Sequence, residues 1–316
     1  MRKVDVWPQL TAESRAAALK SQELYAALGA LPSHPVAAAR AGYNQERRFW
    51  NAFPAEVARV EDLTHDTGHG TIGLRFYHPA PGKTLPVILY LHGGGYLLGN
   101  LDTHDRVQRL HARESGWALL AIDYTLAPEA KFPTQVLQAA SVARDLARIL
   151  EGRGVDPARF AFAGDSAGAN LSCATTIELA ASNGPRPEAL LLYYGGYGLK
   201  DGVSRRLYGN KWDGLEEKEL GFYRSTYLAE EGQAVDPRYD ILRGDLALLP
   251  RSFILACALD PLHDDSVALA RGLALAGVAQ ELKVYEGVLH SFLHYSGLEP
   301  RALQAIRDGA AFLGRP

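Results

Sequence analysis

The sequence predicts an α/β fold, a mainly parallel sheet covered by helices on both faces, with one smaller excursion from the core. Three observations predict it. Apolar, strand-like runs at Val87, Trp117, Phe160, Ala189, Phe253 and Leu282 alternate with helix-forming stretches at Thr103, Phe132, Ala167, Ser266 and Arg301. Such alternation belongs to parallel strands joined by crossover helices. Two glycine-rich turns, His92-Gly93-Gly94-Gly95 and Gly164-Asp165-Ser166-Ala167-Gly168, each follow one of the strands. A stretch between Gly195 and Asp240 breaks the rhythm with charge and aromatics: Arg205-Arg206, Trp212, a helical pattern over Glu216 to Tyr227, then Asp236-Pro237.

Along the chain, residues 1–58 are mostly helix-favouring, with the clearest helix over Ala12 to Leu28, closed by Gly29 and Pro32. Two strands between Val57 and His78 flank a turn at Gly68-His69-Gly70. The strand Pro86 to Leu91 runs into the first glycine turn, and the strand Arg159 to Ala163 into the second, from which a helix leaves over Asn170 to Ala181. The buried strand Ser252 to Leu259 stops at Asp260-Pro261, followed by a helix over Ser266 to Ala276. The strand Glu281 to Tyr285 then leads through the turn Glu286-Gly287-Val288-Leu289 to His290.

Composition excludes several classes. With 316 residues and 47% hydrophobic content, the chain can bury one large core. A net charge of -3 leaves no basic footprint, so neither nucleic acid nor an anionic membrane is an expected partner. Cys173 and Cys257 both lie in apolar runs, the pattern of buried thiols in a reducing compartment. Met1 to Pro8 contain no apolar signal region, and no apolar run reaches the roughly 18 residues a membrane helix needs. The expected location is the cytoplasm.

The chemistry is carried by the two glycine turns. A Gly-x-Ser-x-Gly between strand and helix places its serine on a turn too sharp for flanking side chains, with the hydroxyl exposed above the sheet. The alternative is an ordinary strand-to-helix turn with a capping serine. The run Gly93-Gly94-Gly95 favours the nucleophile, because serine-ester chemistry needs backbone N–H groups aimed at an oxyanion. A serine nucleophile also needs a histidine base and an orienting carboxylate, in the order serine, acid, histidine. Asp260 stands at a strand's carboxyl end, where open α/β sheets deliver catalytic groups, and His290 follows it. Asp264 and Asp265 are rivals better suited to the start of the next helix. His294 is the rival base, set one turn into a helix if one starts at Ser291. His34, His65, His69, His78, His104, His111 and His263 are read as surface or packing residues.

Together, His92-Gly93-Gly94-Gly95, Gly164 to Gly168, Asp260-Pro261-Leu262 and His290-Ser291-Phe292 resemble the bacterial branch of the hormone-sensitive-lipase group of α/β-hydrolases. Glu46 to Asn51, Gly99 to Arg106, Asp123 to Leu126 and Lys211 to Leu215 are similar to the enterobacterial acetyl esterases within it, and the resemblance spans about residues 45 to 312. It implies an α/β-hydrolase fold and a cytoplasmic carboxylesterase for short acyl chains. Ser166 is implied as nucleophile, Asp260 and His290 as its partners, and Gly94, Gly95 and Ala167 as oxyanion-hole amides, supported by His92, Gly93, Gly164, Asp165 and Gly168. A helical cap is implied too, giving cap helices over 1–58, core over 59–196, a cap insertion over 197–240 and core over 241–316. Phe49, Trp50, Trp212, Phe222, Tyr223 and Tyr227 of the cap are candidates to line an acyl pocket, or are plain packing. Asp102, Asp105, Asp123 and Glu129 fit loop and capping hydrogen bonds. Ser291 departs from the glycine or alanine usual in the group.

The expected partner is a small-molecule ester, with no cofactor and no metal, for a monomer or homodimer. A metal at His290 and His294, four apart, with Asp264 and Asp265, is the first rival, but the Glu of His-Glu-x-x-His is missing. A lipase or amidase of the same fold, or a non-catalytic small-molecule-binding protein, are the others; the presence of His290 argues against the last.

Overall fold

The computed structural model describes residues 3–53, 55–209, 212 and 215–315. Among them, β1 (Arg59–Asp66), β2 (Thr71–His78), β3 (Leu85–Leu91), β4 (Ala118–Asp123), β5 (Val155–Asp165), β6 (Leu190–Tyr193), β7 (Ser252–Cys257) and β8 (Gln280–Tyr285) form one sheet. Its order is β1-β2-β4-β3-β5-β6-β7-β8. The pairings β1 with β2 and β2 with β4 are antiparallel, and every later pairing is parallel. Each strand expected from the sequence is present.

The apolar runs are continuous because the sheet is buried on both faces. Val87, Leu89 and Leu91 of β3 pack into one core, with Phe162, Leu192 and Ile254, while Ile88 and Tyr90 pack into the other, with Ala163, Leu191 and Phe253. Each such side chain contributes about 2 kcal/mol by leaving water. Cys173 and Cys257 are buried free thiols on opposite elements.

The helices are α1 (Ala12–Ala26), α2 (Pro35–Asn51), α3 (Asp105–Ser115), α4 (Thr134–Arg144), α5 (Leu146–Ile149), α6 (Ala167–Ala181), α7 (Val203–Leu207), α8 (Glu217–Tyr227), α9 (His263–Leu275) and α10 (Pro300–Leu313). Thr11 caps α1 by accepting from Ser14 N at 3.2 Å, and Glu216 with Glu219 forms a capping box on α8. Helix α6 starts at Ala167, which makes Ser166 its N-cap. Helix α9 starts at His263, so Asp264 and Asp265 fall in its first turn. The expected helix at Ser291 is a short 3₁₀ turn over Phe292–Tyr295, preceded by Ser291 at φ 64°. That left-handed conformation suits glycine, which accounts for the glycine but not the alanine of the resembling group at this position. No helix among the described residues is long and apolar enough to cross a membrane.

Candidate active site

Strand ends build the site. Ser166 sits between β5 and α6 at φ 52°, ψ -118°, a strained conformation for a side chain-bearing residue. The glycines around it are obligatory: a Cβ on Gly168 would lie 1.9 Å from Leu91 O, and one on Gly164 2.4 Å from Gly168. This close approach turns the chain sharply and lifts the Ser166 hydroxyl out of the sheet. The Ser166 Oγ stands 2.9 Å from His290 Nε2, and His290 Nδ1 stands 2.7 Å from Asp260 Oδ2. Asp260 is fully buried after β7, and its other oxygen accepts the Leu262 amide at 2.8 Å. An ionised carboxylate only accepts, so the proton of neutral His290 belongs on Nδ1, leaving the Nε2 lone pair for the serine.

The glycine turn after β3 faces the same space. Gly94, Gly95, Ser166, Ala167 and His290 all line one cavity of about 660 Å³. Among the described residues, the Gly94 and Gly95 amides donate to no backbone carbonyl, and the Ala167 amide is at the first position of α6, where no intrahelical partner exists. Gly95, at φ 60°, carries the Tyr223 ring directly on it: a Cβ there would come within 2.7 Å of that ring.

Asp165 ties the two turns together. Its Oδ1 accepts from the Gly93 amide at 3.0 Å and from the Tyr90 hydroxyl at 2.8 Å. Burial pushes this carboxyl up, but His104 and His294 more than offset it, and it lies well below the ordinary carboxylate range. His92 donates from Nδ1 to the Gly93 carbonyl at 2.8 Å and stacks on Tyr124 at 4.3 Å, so it supports the loop without facing the cavity. Burial, then His104, pushes it down to about 3, and it stays neutral.

The rivals separate. His294 is buried with Nε2 3.8 Å from Asp165 Oδ2, against the His104 ring. Asp265 is buried and accepts from the Tyr197 and Leu199 amides at 2.7 and 3.0 Å, while Asp264 accepts from the Ser204 amide at 2.9 Å. These two carboxylates anchor the segment that follows β6, beyond a role at the helix terminus. The metal set His290, His294, Asp264, Asp265 is therefore not assembled; the trio with metal-like spacing among the described residues is His104, Asp165 and His294. His65, His78 and His111 are buried packing residues as expected, whereas His104, also buried, stands 3.5 Å from Asp165 Oδ1. Asp102 and Asp105 pair with Arg75, Glu129 with Arg40, and burial followed by the charge of Asp102 raises Asp123 to about 6.

Of the six candidate aromatics, Trp212 and Tyr223 line the cavity. Of the other four, Phe49, Trp50 and Tyr227 take the packing alternative and Phe222 faces solvent. Phe49 and Trp50 stack edge to face at 4.9 Å, with Trp50 donating to Glu46, and Tyr227 lies flat on Tyr96 at 3.8 Å. The sequence reading missed Tyr25, Tyr43 and Tyr295, which line the cavity from α1, α2 and the 3₁₀ turn. Tyr43 and Arg47 stand four apart on one face of α2, a spacing that marks a shared surface. Lys211, Asp213 and Gly214 of the acetyl-esterase-like stretch lie outside the described residues.

Comparison with known proteins agrees with this fold. Residues 88–294 match the family described as the alpha/beta hydrolase fold. A hyperthermophilic esterase from the archaeon Pyrobaculum calidifontis is 29% identical, with a TM-score of 0.88 over 96% of this chain and 98% of that one. An ester-hydrolase from the metagenome of Lake Arreo, solved with a bipyridine phosphonate derivative, is 28% identical with a TM-score of 0.88 over 96% of this chain and 98% of that one. A thermostable carboxylesterase cloned from a metagenomic library is 28% identical with a TM-score of 0.85 over 89% of this chain and 97% of that one. With its sheet order, its serine turn and a family match over most of its length, the chain belongs to the alpha/beta hydrolase fold family.

Proposed function

We propose that the protein is a serine carboxylesterase of short-chain acyl esters, an acetyl-esterase-like member of the hormone-sensitive-lipase group acting in the cytoplasm. The observation that carries the reading is the hydrogen-bonded chain from Asp260 through His290 to Ser166, opening on a cavity beside the Gly94, Gly95 and Ala167 amides. The esterase names of the solved relatives support it.

His290, oriented by Asp260, takes the Ser166 proton as the oxygen attacks the ester carbonyl. The three amides hold the resulting oxyanion. His290 then returns the proton to the leaving alcohol, and water, activated by the same imidazole, releases the acid from the acyl-enzyme. None of these steps draws on a metal or cofactor. The helices α1, α2 and α8 wall the cavity as a cap, and Trp212 is the part of that wall set to restrict the acyl group.

The test is hydrolysis of p-nitrophenyl esters from acetyl to dodecanoyl, with Ser166→Ala as control. Activity should peak from acetyl to hexanoyl and vanish in the variant. Comparable kcat/KM out to dodecanoyl, or interfacial activation on emulsified triglyceride, selects a lipase; binding without turnover selects a receptor.

A further inference from the structure

Three phenols, Tyr25, Tyr43 and Tyr295, gather on one wall of the cavity, and we propose that they receive a polyhydroxylated alcohol, so that the natural substrate is a short-chain acyl ester of a sugar or polyol. The proposal rests on the esterase reading and names the half of the substrate which that reading leaves open. A short acyl group occupies a small part of the 660 Å³ cavity, so most of the space belongs to the alcohol.

The position of that alcohol follows from the chemistry. His290 must hand its proton to the leaving oxygen, which places the alcohol on the histidine's side of Ser166. Ser291 and Tyr295, from the turn that carries His290, line this side. The Arg47 guanidinium lies 5.8 Å from the Tyr295 ring and 4.6 Å from the Tyr43 ring, and the Tyr25 ring lies 3.5 Å from where a Cβ on Gly42, the neighbour of Tyr43, would stand. The wall is therefore one contiguous patch built from α1, α2 and the histidine turn.

The patch is polar without being charged. Arg47 is paired with Glu46 at 2.9 Å, and Glu46 also accepts from Ser21 at 2.6 Å and from Trp50 at 2.5 Å, which leaves no net charge for an ionic ligand. The Arg47 guanidinium lies over the Tyr43 ring, and no protein group among the described residues takes the Tyr43 hydroxyl as hydrogen-bond partner. Burial pushes Tyr43 up to about 12, and its proton stays in place at neutral pH. The Tyr25 and Tyr295 hydroxyls hydrogen-bond to no protein group among the described residues, and both residues line the cavity, Tyr25 while 47% exposed to solvent. Each phenol both donates and accepts, and the group that satisfies both roles at once is another hydroxyl. An alkyl alcohol would strip water from this wall and return nothing.

Three acetates of one acid test the proposal: 6-O-acetylglucose, n-hexyl acetate and, as reference, p-nitrophenyl acetate, followed by acetate release or absorbance. We expect kcat/KM on the sugar acetate to exceed that on hexyl acetate at least tenfold, chiefly through KM. Tyr25→Phe and Tyr295→Phe should each lower the sugar-to-hexyl ratio about fivefold, the equivalent of one hydrogen bond. Hexyl acetate turned over as fast as the sugar acetate, or ratios unmoved in both variants, would overturn the polyol assignment while p-nitrophenyl acetate hydrolysis keeps the esterase reading. Inactivity on all three esters refutes the esterase reading, and the polyol assignment with it.

Discussion

The Asp165 carboxylate accepts the Gly93 amide at 3.0 Å, so the residue before the nucleophile is bonded to the residue before the oxyanion amides. The two turns that carry the chemistry, distant in sequence, thus move as one body. Asp165→Ala leaves the Gly93 amide and the Tyr90 hydroxyl buried and unpaired, at a cost of roughly 3 kcal/mol in stability. It should also lower kcat on p-nitrophenyl acetate at least tenfold, because freed glycine amides no longer converge on the oxyanion. Urea unfolding and initial rates check both; a variant that loses stability but keeps full kcat shows that the bond only serves the fold.

A catalytic triad acts as a unit, and its single losses are far from additive. Ser166→Ala, Asp260→Ala and His290→Ala should each reduce kcat by roughly 10³-fold or more with the fold retained, judged by circular dichroism. His294→Ala should cost much less, since its ring faces Asp165 and not the serine. Equal loss at His294 with activity retained in His290→Ala reverses the assignment of the base.

What was legible in the sequence was whatever a strand end writes locally. Ser166, Asp260 and His290 each follow a recognisable strand, and their order is characteristic of the chemistry, so the hydrogen-bonded set they form could be anticipated without coordinates. The parallel core was legible for the same reason, as strands buried on both faces are uninterrupted apolar runs. The cavity's wall was not. Tyr25, Tyr43 and Tyr295 lie on three separate elements and meet only through packing, while Phe49 and Trp50, two and three residues beyond Arg47 on α2, face Phe53 and Tyr295. Aromatic content marks a helix as amphipathic; which aromatic meets the cavity depends on a rotation that the neighbouring helices set. The role of Asp165 was hidden likewise, because its partners at Gly93 and Tyr90 become neighbours only when β3 pairs with β5.

Docking of the N-terminal helix onto the core should weaken in acid. Glu299 is fully buried and accepts from Ser14 of α1 at 2.6 Å and from Arg301 at 2.8 Å. Burial pushes its carboxyl up, but the bonds from Arg301 and Ser14 outweigh that and hold it below its ordinary 4.5. A carboxylate lowered in the folded state contributes stability that is complete above that ordinary value and fades as pH falls through the lower, folded one. Glu299→Gln, which keeps the shape without the charge, should cost about 2 kcal/mol at pH 7 and progressively less below pH 4.5. Melting temperatures of both proteins across this range measure the difference; a constant gap down to strong acid removes Glu299 as the titrating contact.

The acyl preference should respond to Trp212, which lines the cavity and stacks on Trp7 with ring centroids 4.4 Å apart. The pair joins the 197–240 insertion to the N-terminal segment, so removing one ring both opens the wall and loosens the cap. Trp212→Ala should raise kcat/KM on octanoyl relative to acetyl p-nitrophenyl esters, because each methylene that finds an apolar wall in place of water contributes about 0.8 kcal/mol, or close to fourfold. Three accommodated methylenes would move the ratio by well over tenfold, while a cap that merely loosens should depress both esters together and leave the ratio alone. Trp7→Ala separates the two effects: it breaks the same stack without removing the ring from the cavity. A ratio raised in Trp212→Ala and unchanged in Trp7→Ala identifies the indole as the wall that limits the acyl chain; equal ratios in both variants and the unmodified protein assign the ring to cap assembly alone.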